Sequence, residues 1–200
     1  MASASPAPIR PASLRPDDWI HAAFVRLSRE GIDSVRVEVL ARDLAVSKGS
    51  FYWHFRDREE LLAAMISNWE SQETAWIVAA ALSSEGAASR WARLVERCAD
   101  PERAKLEAAL RSWARRDERI GMKVAAIERD RTAYIARVMR EVGFTSQAAE
   151  KWSHLALLVS LGWADRATRD TEFTLAGRGL GEFLSDLLLA ASEQPRTADR

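Results

Sequence analysis

The chain has 200 residues, 48% hydrophobic and 29% charged, with 29 basic and 29 acidic groups and no formal net charge. Such a composition supports a soluble globule with a real core, and the charge balance removes any argument for nucleic-acid binding from a global basic surplus. The lone Cys98 excludes an intrachain disulfide and fits a reducing, cytoplasmic setting. The N-terminus has no basic stretch leading into an apolar segment, so no secretory leader is expected. The longest apolar-rich run, Leu155 to Ala164, is about half the ~20 residues of a membrane helix, so no membrane partner is expected either.

Residues 1–13, rich in Pro, Ala and Ser, predict a disordered tail, and residues 193–200 a second one. From Arg15 onward the apolar spacing is helical and no strand-like alternation of useful length occurs. A first helix starts near Pro16, with Asp17 and Asp18 at its positive end and a stripe of Ile20, Ala23, Phe24 and Leu27, and stops at Gly31. A short second helix follows near Val37 to Leu44. Ser47 is placed to cap a third that carries Phe51 and Phe55. Asp57 with Glu60 three residues on predicts a capping box at the start of a long fourth helix, whose stripe runs from Leu61 through Trp69 and Trp76 to Ala80. Beyond Gly86 come a helix with Trp91, Leu94, Val95 and Cys98, and one opened by Asp100-Pro101-Glu102 that bears Leu106, Leu110 and Trp113. A longer helix runs from Val124 to a stop at Gly143, and the last two cover roughly 147–168 and 175–191. The count is about nine helices and no sheet.

Two short helices joined by a tight turn outline a helix-turn-helix. The informative stretch is Val46-Ser-Lys-Gly-Ser-Phe-Tyr-Trp-His-Phe-Arg-Asp-Arg-Glu-Glu-Leu-Leu62. Phe51 and Phe55, four apart, face inward. Gly49 and Ser50 are small enough for close approach to a groove floor. Ser47, Lys48 and Ser50 offer donors to phosphates or base edges. Tyr52 carries a phenol suited to a phosphate, and Trp53 and His54 present flat or polar surfaces to bases. Arg58, a cation in the first turn of a helix, is unfavourable for the helix alone and suggests a phosphate partner. Over about Ala22 to Met65 these residues resemble the TetR family of transcriptional regulators. That resemblance implies a DNA-contact face of Ser47, Lys48, Ser50, Tyr52, Trp53 and His54, with Arg58 on the DNA backbone. Two positions depart from the usual pattern. Ala45 stands where Gly is common, and Arg36 stands where the second helix often opens with Thr or Ser, from where it can reach a phosphate.

The resemblance also implies an all-α chain, with a three-helix DNA-binding domain over 14–60 and a helical effector-binding and dimerisation domain over 61–192. It implies a homodimer through the last two helices, where Trp152, Leu155, Leu158, Val159, Gly162, Phe183, Leu184, Leu187 and Leu188 form the candidate face, and a palindromic double-stranded operator bound as a repressor. An effector pocket for a small apolar or aromatic molecule is expected among Trp69, Trp76, Trp91, Trp113, Tyr134, Trp152 and His154, with Cys98 nearby and core packing as the alternative use. Asp130 and Arg131 interrupt an apolar helix, and either an ion pair, the ordinary reading, or one side chain facing the cavity accounts for them. An enzyme is disfavoured: the three histidines, His21, His54 and His154, are isolated, and no metal-binding spacing or glycine-rich phosphate loop occurs. No cofactor, metal or catalytic residue is expected. A helical carrier without DNA activity remains the competing class.

Overall fold

A computed structural model of the chain describes residues 14–167, 169–170, 172 and 179–192. The tails expected at 1–13 and 193–200 lie outside the described residues, as do Thr168 and residues 175–178 of the last two expected helices. The described residues form nine α-helices and no strand. They are α1 (Pro16–Glu30), α2 (Val37–Asp43), α3 (Lys48–Tyr52), α4 (Arg58–Leu82), α5 (Ala87–Ala99), α6 (Pro101–Ala114), α7 (Glu118–Val142), α8 (Ser146–Ala167) and α9 (Leu180–Ser192). One turn of 3₁₀ helix, Ile32–Ser34, links α1 to α2.

The helix ends follow local chemistry. Asp100 accepts from the amides of Glu102 and Arg103, with Pro101 at the first helical position. Gly143 ends α7 at φ +113°, and its neighbour Phe144 donates back to the carbonyl of Met139, closing a Schellman turn. At α4, Asp57 accepts the Glu60 amide at 2.9 Å. The return bond of the expected capping box is displaced by one residue, because the Glu60 carboxylate takes the Arg56 amide at 2.7 Å.

Two apolar clusters fill the interior. The first joins Trp19, Leu27, Leu40, Phe51 and Phe55 to Leu61, Met65 and Trp69 of α4, and continues into Leu110 and Trp113 of α6 and Val124 and Ile127 of α7. The second gathers Ala80, Trp91, Leu94, Tyr134, Ile135, Met139, Ala156, Leu180 and Leu184. The helix-turn-helix core therefore does not stop at residue 60. Long helices α4 and α7 contribute to both clusters, and on each the change of cluster is marked by a charged residue. Glu73 sits between Trp69 and Ala80, and Arg131 between Ile127 and Tyr134.

Candidate DNA-binding surface and interior cavity

The turn between α2 and α3 is where an α-helix ends on an alanine. Ala45 has φ +54°, and Val46 donates to the carbonyl of Ala41. This is the left-handed end that glycine normally supplies, held here against a steric cost of about 1 kcal/mol. It turns the chain so that Ser47 becomes the N-cap of α3. The hydroxyl of Ser47 makes no capping hydrogen bond, and the residue is exposed.

Phe51 fixes α3. It is fully buried, edge-on to Trp19 at 5.3 Å and 5.5 Å from Phe55. Trp19, which the expected α1 stripe omits, is thus the platform beneath the third helix. With that face held inward, Tyr52 and Trp53 point out, 61% and 88% exposed. Lys48 and Gly49 are exposed beside them, and Ser50 and His54 are half-buried. Lys48 bonds Glu38 at 2.8 Å across α2 and α3 in an exposed pair of small energetic worth. Arg36, exposed at the N-cap of α2, and Arg42 in its last turn carry no side-chain hydrogen bond or ion pair among the described residues. They are the uncommitted cations of this face.

Arg58 is already engaged within the chain. Its Nε donates to the Val35 carbonyl at 2.6 Å, one terminal nitrogen to the Ile32 carbonyl at 2.9 Å, and the other reaches Glu59 at 3.3 Å. The guanidinium takes the Val35 carbonyl and shares the Ile32 carbonyl with the Val35 amide, and this offsets the unfavourable helix dipole. A phosphate is not needed to explain it.

The residues expected to line an effector pocket do not converge. Trp69 and Trp113 are packed in the first cluster and Trp91 and Tyr134 in the second, all nearly inaccessible. Trp152 is half-buried, with Lys151 over its ring, and His154 is exposed with Nδ1 2.8 Å from the Glu150 carbonyl. Of that set, Trp76 alone lines the closed cavity found between α4, α5, α6, α7 and α8. The physical reason is that large rings are favourable fillers of helix junctions, and most are used so. The cavity, about 40 Å³, is bounded by Trp76, Leu94, Cys98, Ile135, Leu157 and Leu161 on its apolar sides and by Arg97, Arg103, Glu107 and Arg131 elsewhere.

Those charges belong to a network that sequence reasoning missed, save for the ion pair expected at Arg131. Glu73, 2% exposed, accepts from Arg97 at 2.8 Å, from both terminal nitrogens of Arg103 at 2.7 and 2.6 Å, and from Arg131 at 2.7 Å. Glu107 binds Arg131 through both oxygens and also meets Arg103 and Arg111. Burial alone would raise the Glu73 pKa, but the Arg103 hydrogen bonds and the charges of Arg131 and Arg103 prevail and hold it at about 2. Burial likewise opposes the charge on Arg131, yet Glu107 and Glu73 raise its pKa above the usual arginine value. Burial pushes the Cys98 thiol up, leaving it unreactive beside Ser160. The available signal was Glu73 itself, four residues after Trp69 and three before Trp76 on a stripe otherwise apolar. Among the described residues no group of acidic, His or Cys side chains has the arrangement of a metal site, and no helix is long and apolar enough to cross a membrane.

Leu184 also needs correction as a dimer-face residue, since it is buried in the second cluster. Exposed apolar side chains of α8 are Leu155 and Leu158, the latter 63% accessible, and Gly162 faces open space. Trp152, Val159 and Phe183 are half-buried. The Leu187 and Leu188 side chains lie outside the described residues.

A short helix held by a buried aromatic on a tight turn after another short helix, with its polar and aromatic face bare, is a helix-turn-helix module of the DNA-binding class. Residues 20–65 match the family model described as bacterial regulatory proteins, tetR family. An HTH-type transcriptional repressor of Mycobacterium tuberculosis is 38% identical over 53 residues, which is 26% of this chain and 20% of that protein. The class A tetracycline repressor from transposon 1721 of Escherichia coli is 38% identical over 52 residues, 26% of this chain and 24% of that one. The matched segment thus spans about a fifth to a quarter of these curated relatives. The rest of the fold is shared more widely. A transcriptional regulator from Rhodococcus sp. Rha1 superposes with TM-score 0.72 at 16% identity, over 93% of this chain and 100% of its own. A regulator from Saccharomonospora viridis in complex with choline gives 0.70 at 17%, over 90% and 95%. FadR from Bacillus subtilis in complex with stearoyl-CoA gives 0.61 at 14%, over 91% and 100%. Residues 20–65 are thus similar to the DNA-binding segment of tetR-family regulators, and the fold of the described residues is that of solved transcriptional regulators.

Proposed function

We propose that the chain is a ligand-responsive repressor of the cytoplasm that binds a palindromic operator as a homodimer. Residues 14–60 act as its DNA-binding unit and 61–192 as its effector and dimerisation unit. The observation that carries this reading is the pair of exposed aromatics, Tyr52 and Trp53, on a helix whose inner face Phe51 has anchored. Bare adjacent rings are unfavourable in water and gain most by meeting a partner. In this reading Trp53, Ser50 and His54 meet base edges. Ser47, Lys48, Gly49, Tyr52 and Arg36 hold the backbone, and Arg36 takes the phosphate role that Arg58 gives up. Relatives named as repressors support the sign of regulation, and structural neighbours with choline or stearoyl-CoA bound support an effector in the helical half.

A gel shift against the DNA flanking its own gene tests the core of this reading. Wild type should protect a near-palindrome with half-sites about one helical turn apart. Arg36→Ala should weaken binding to every sequence and lower the salt slope by about 1. Leu158→Glu, at an exposed position, should give folded monomers that no longer bind the operator. Tight binding by a monomeric wild type would sink the dimer reading.

A further inference from the structure

The charge around the cavity is lopsided. Arg97, Arg103, Arg111 and Arg131 share two ion-paired carboxylates, Glu73 and Glu107, while Glu128 and Asp165 act on Arg111 at longer range. Two of the four arginines are well held, since Arg103 and Arg131 each bridge both carboxylates. Arg111 has only a 3.6 Å contact with Glu107 and a buried nitrogen without a partner, but it does not line the cavity. Arg97 does. It makes a single hydrogen bond, to Glu73 at 2.8 Å, and its guanidinium carbon lies 4.5 Å from the centroid of the Trp76 ring. Its Nε and other terminal nitrogen have no partner among the described residues. Burial and the nearby charges of Arg103 and Arg131 push its pKa down, as they would for a cation short of counter-charge.

Its position gives that shortage a use. Trp76, Arg97 and Arg103 line the closed cavity and also a wide cleft of about 1260 Å³ that opens between α1, α4, α5 and α6. They form the partition between the two. Behind the partition the wall is apolar, with Leu94, Ile135, Leu157 and Leu161. At about 40 Å³ the cavity has room for a few waters, so any organic occupant has to push this wall back.

We propose that the effector is an organic carboxylate with a compact apolar body, its carboxylate taken by the open fork of Arg97 at the partition and its body lodged between Leu94, Ile135, Leu157 and Leu161. This deepens the reading of the cavity as the effector site and rests on it. A guanidinium fork matches a carboxylate in two parallel hydrogen bonds. Glu73 already demonstrates that these arginines accept that group. A cationic ligand would meet a surplus of positive charge. A neutral one would bury its polar end beside a guanidinium it cannot neutralise.

The test uses the full chain and a defined set of probes: hexanoate, octanoate, decanoate and 3-phenylpropanoate, each beside its primary amide and its amine. Binding is read by calorimetry and tryptophan quenching. At least one carboxylate should bind, and more tightly than its amide by about tenfold or more, with the amine weaker still. Arg97→Gln should erase the preference of carboxylate over amide, while Arg97→Lys, which keeps charge without the fork, should keep part of it. A cooperative melt by circular dichroism certifies each variant as folded. Amides or amines binding as well as carboxylates, or no carboxylate binding at all, would overturn the proposal. Adding operator DNA separates this from the function it rests on. A carboxylate that binds at Arg97 but leaves operator affinity unchanged refutes the effector role alone. An amide that binds and releases operator refutes the ligand class alone.

Discussion

At the recognition helix the apolar groups are inside and the polar and charged groups outside; in the middle of the C-terminal half the arrangement is inverted. Phe51 and Phe55 are buried so that Tyr52, Trp53 and Lys48 can stand in solvent. Around the cavity, Trp69, Trp91 and Trp113 are consumed in packing, and the groups with chemistry left to offer are buried arginines and carboxylates. The contrast follows from the partner each region suits. A polyanion is met at a surface and needs projecting donors on a rigid support. A small molecule is met in an interior, where a few desolvated charges decide which class can enter.

Breaking the buried layer should give the largest effect. Glu73→Ala leaves Arg97 without a carboxylate and Arg103 and Arg131 with Glu107 alone, and should cost roughly 3–5 kcal/mol of stability in denaturant unfolding. Acid does the same reversibly. Glu73 has a folded pKa of about 2 against an ordinary 4.5, so its contribution is complete above 4.5 and is lost as pH falls from there toward 2. Glu73→Gln should flatten the stability profile across that window. A profile identical to wild type would show that the carboxylate is not held as described.

On the surface side, stability and binding should separate. Phe51→Ala removes the anchor and should cost about 3–5 kcal/mol of stability. Trp53→Ala should leave the melting curve within about 0.5 kcal/mol of wild type while relaxing discrimination between operator variants by roughly 1–3 kcal/mol per position. If Trp53→Ala lowered stability as Phe51→Ala does, the inside and outside of α3 would have been misassigned. Smallest is the turn that aims this helix. Ala45→Gly removes the left-handed strain and should stabilise by up to about 1 kcal/mol, read by thermal or denaturant unfolding.

The same contrast explains what could be read from the sequence. Ala45 at a tight turn, Asp57 and Asp100 as N-caps, and Gly143 as a helix stop are decided within a few residues, and each is found where the pattern put it, while Ser47 holds the N-cap position without the capping hydrogen bond. The recognition helix was legible for that reason: its anchors and its exposed face alternate within one and a half turns. The cavity was not. Glu73, Arg97, Arg103, Glu107 and Arg131 come from four helices, and no window of sequence contains enough of them to show that they meet. The intrachain bonds of Arg58 were hidden for a related reason, since its acceptors, Ile32 and Val35, lie more than twenty residues upstream. Leu184 misled because an apolar position on a terminal helix reads alike whether its neighbour is α5 of the same chain or another subunit.

The Arg58 clasp bears on what kind of motion can release DNA. Two bonds from one side chain fasten the first turn of α4 to the connector that leads into α2, and Arg116, just past the end of α6, holds Asp33 in that connector at 2.7 Å. In the proposed switch, a tilt of α4 would carry the reading head with it like a blade on a handle, rather than leave it behind to melt. Amide exchange in α2 and in the Phe51 turn should therefore stay slow in the ligand-bound state, even as the distance between the two heads of a dimer changes.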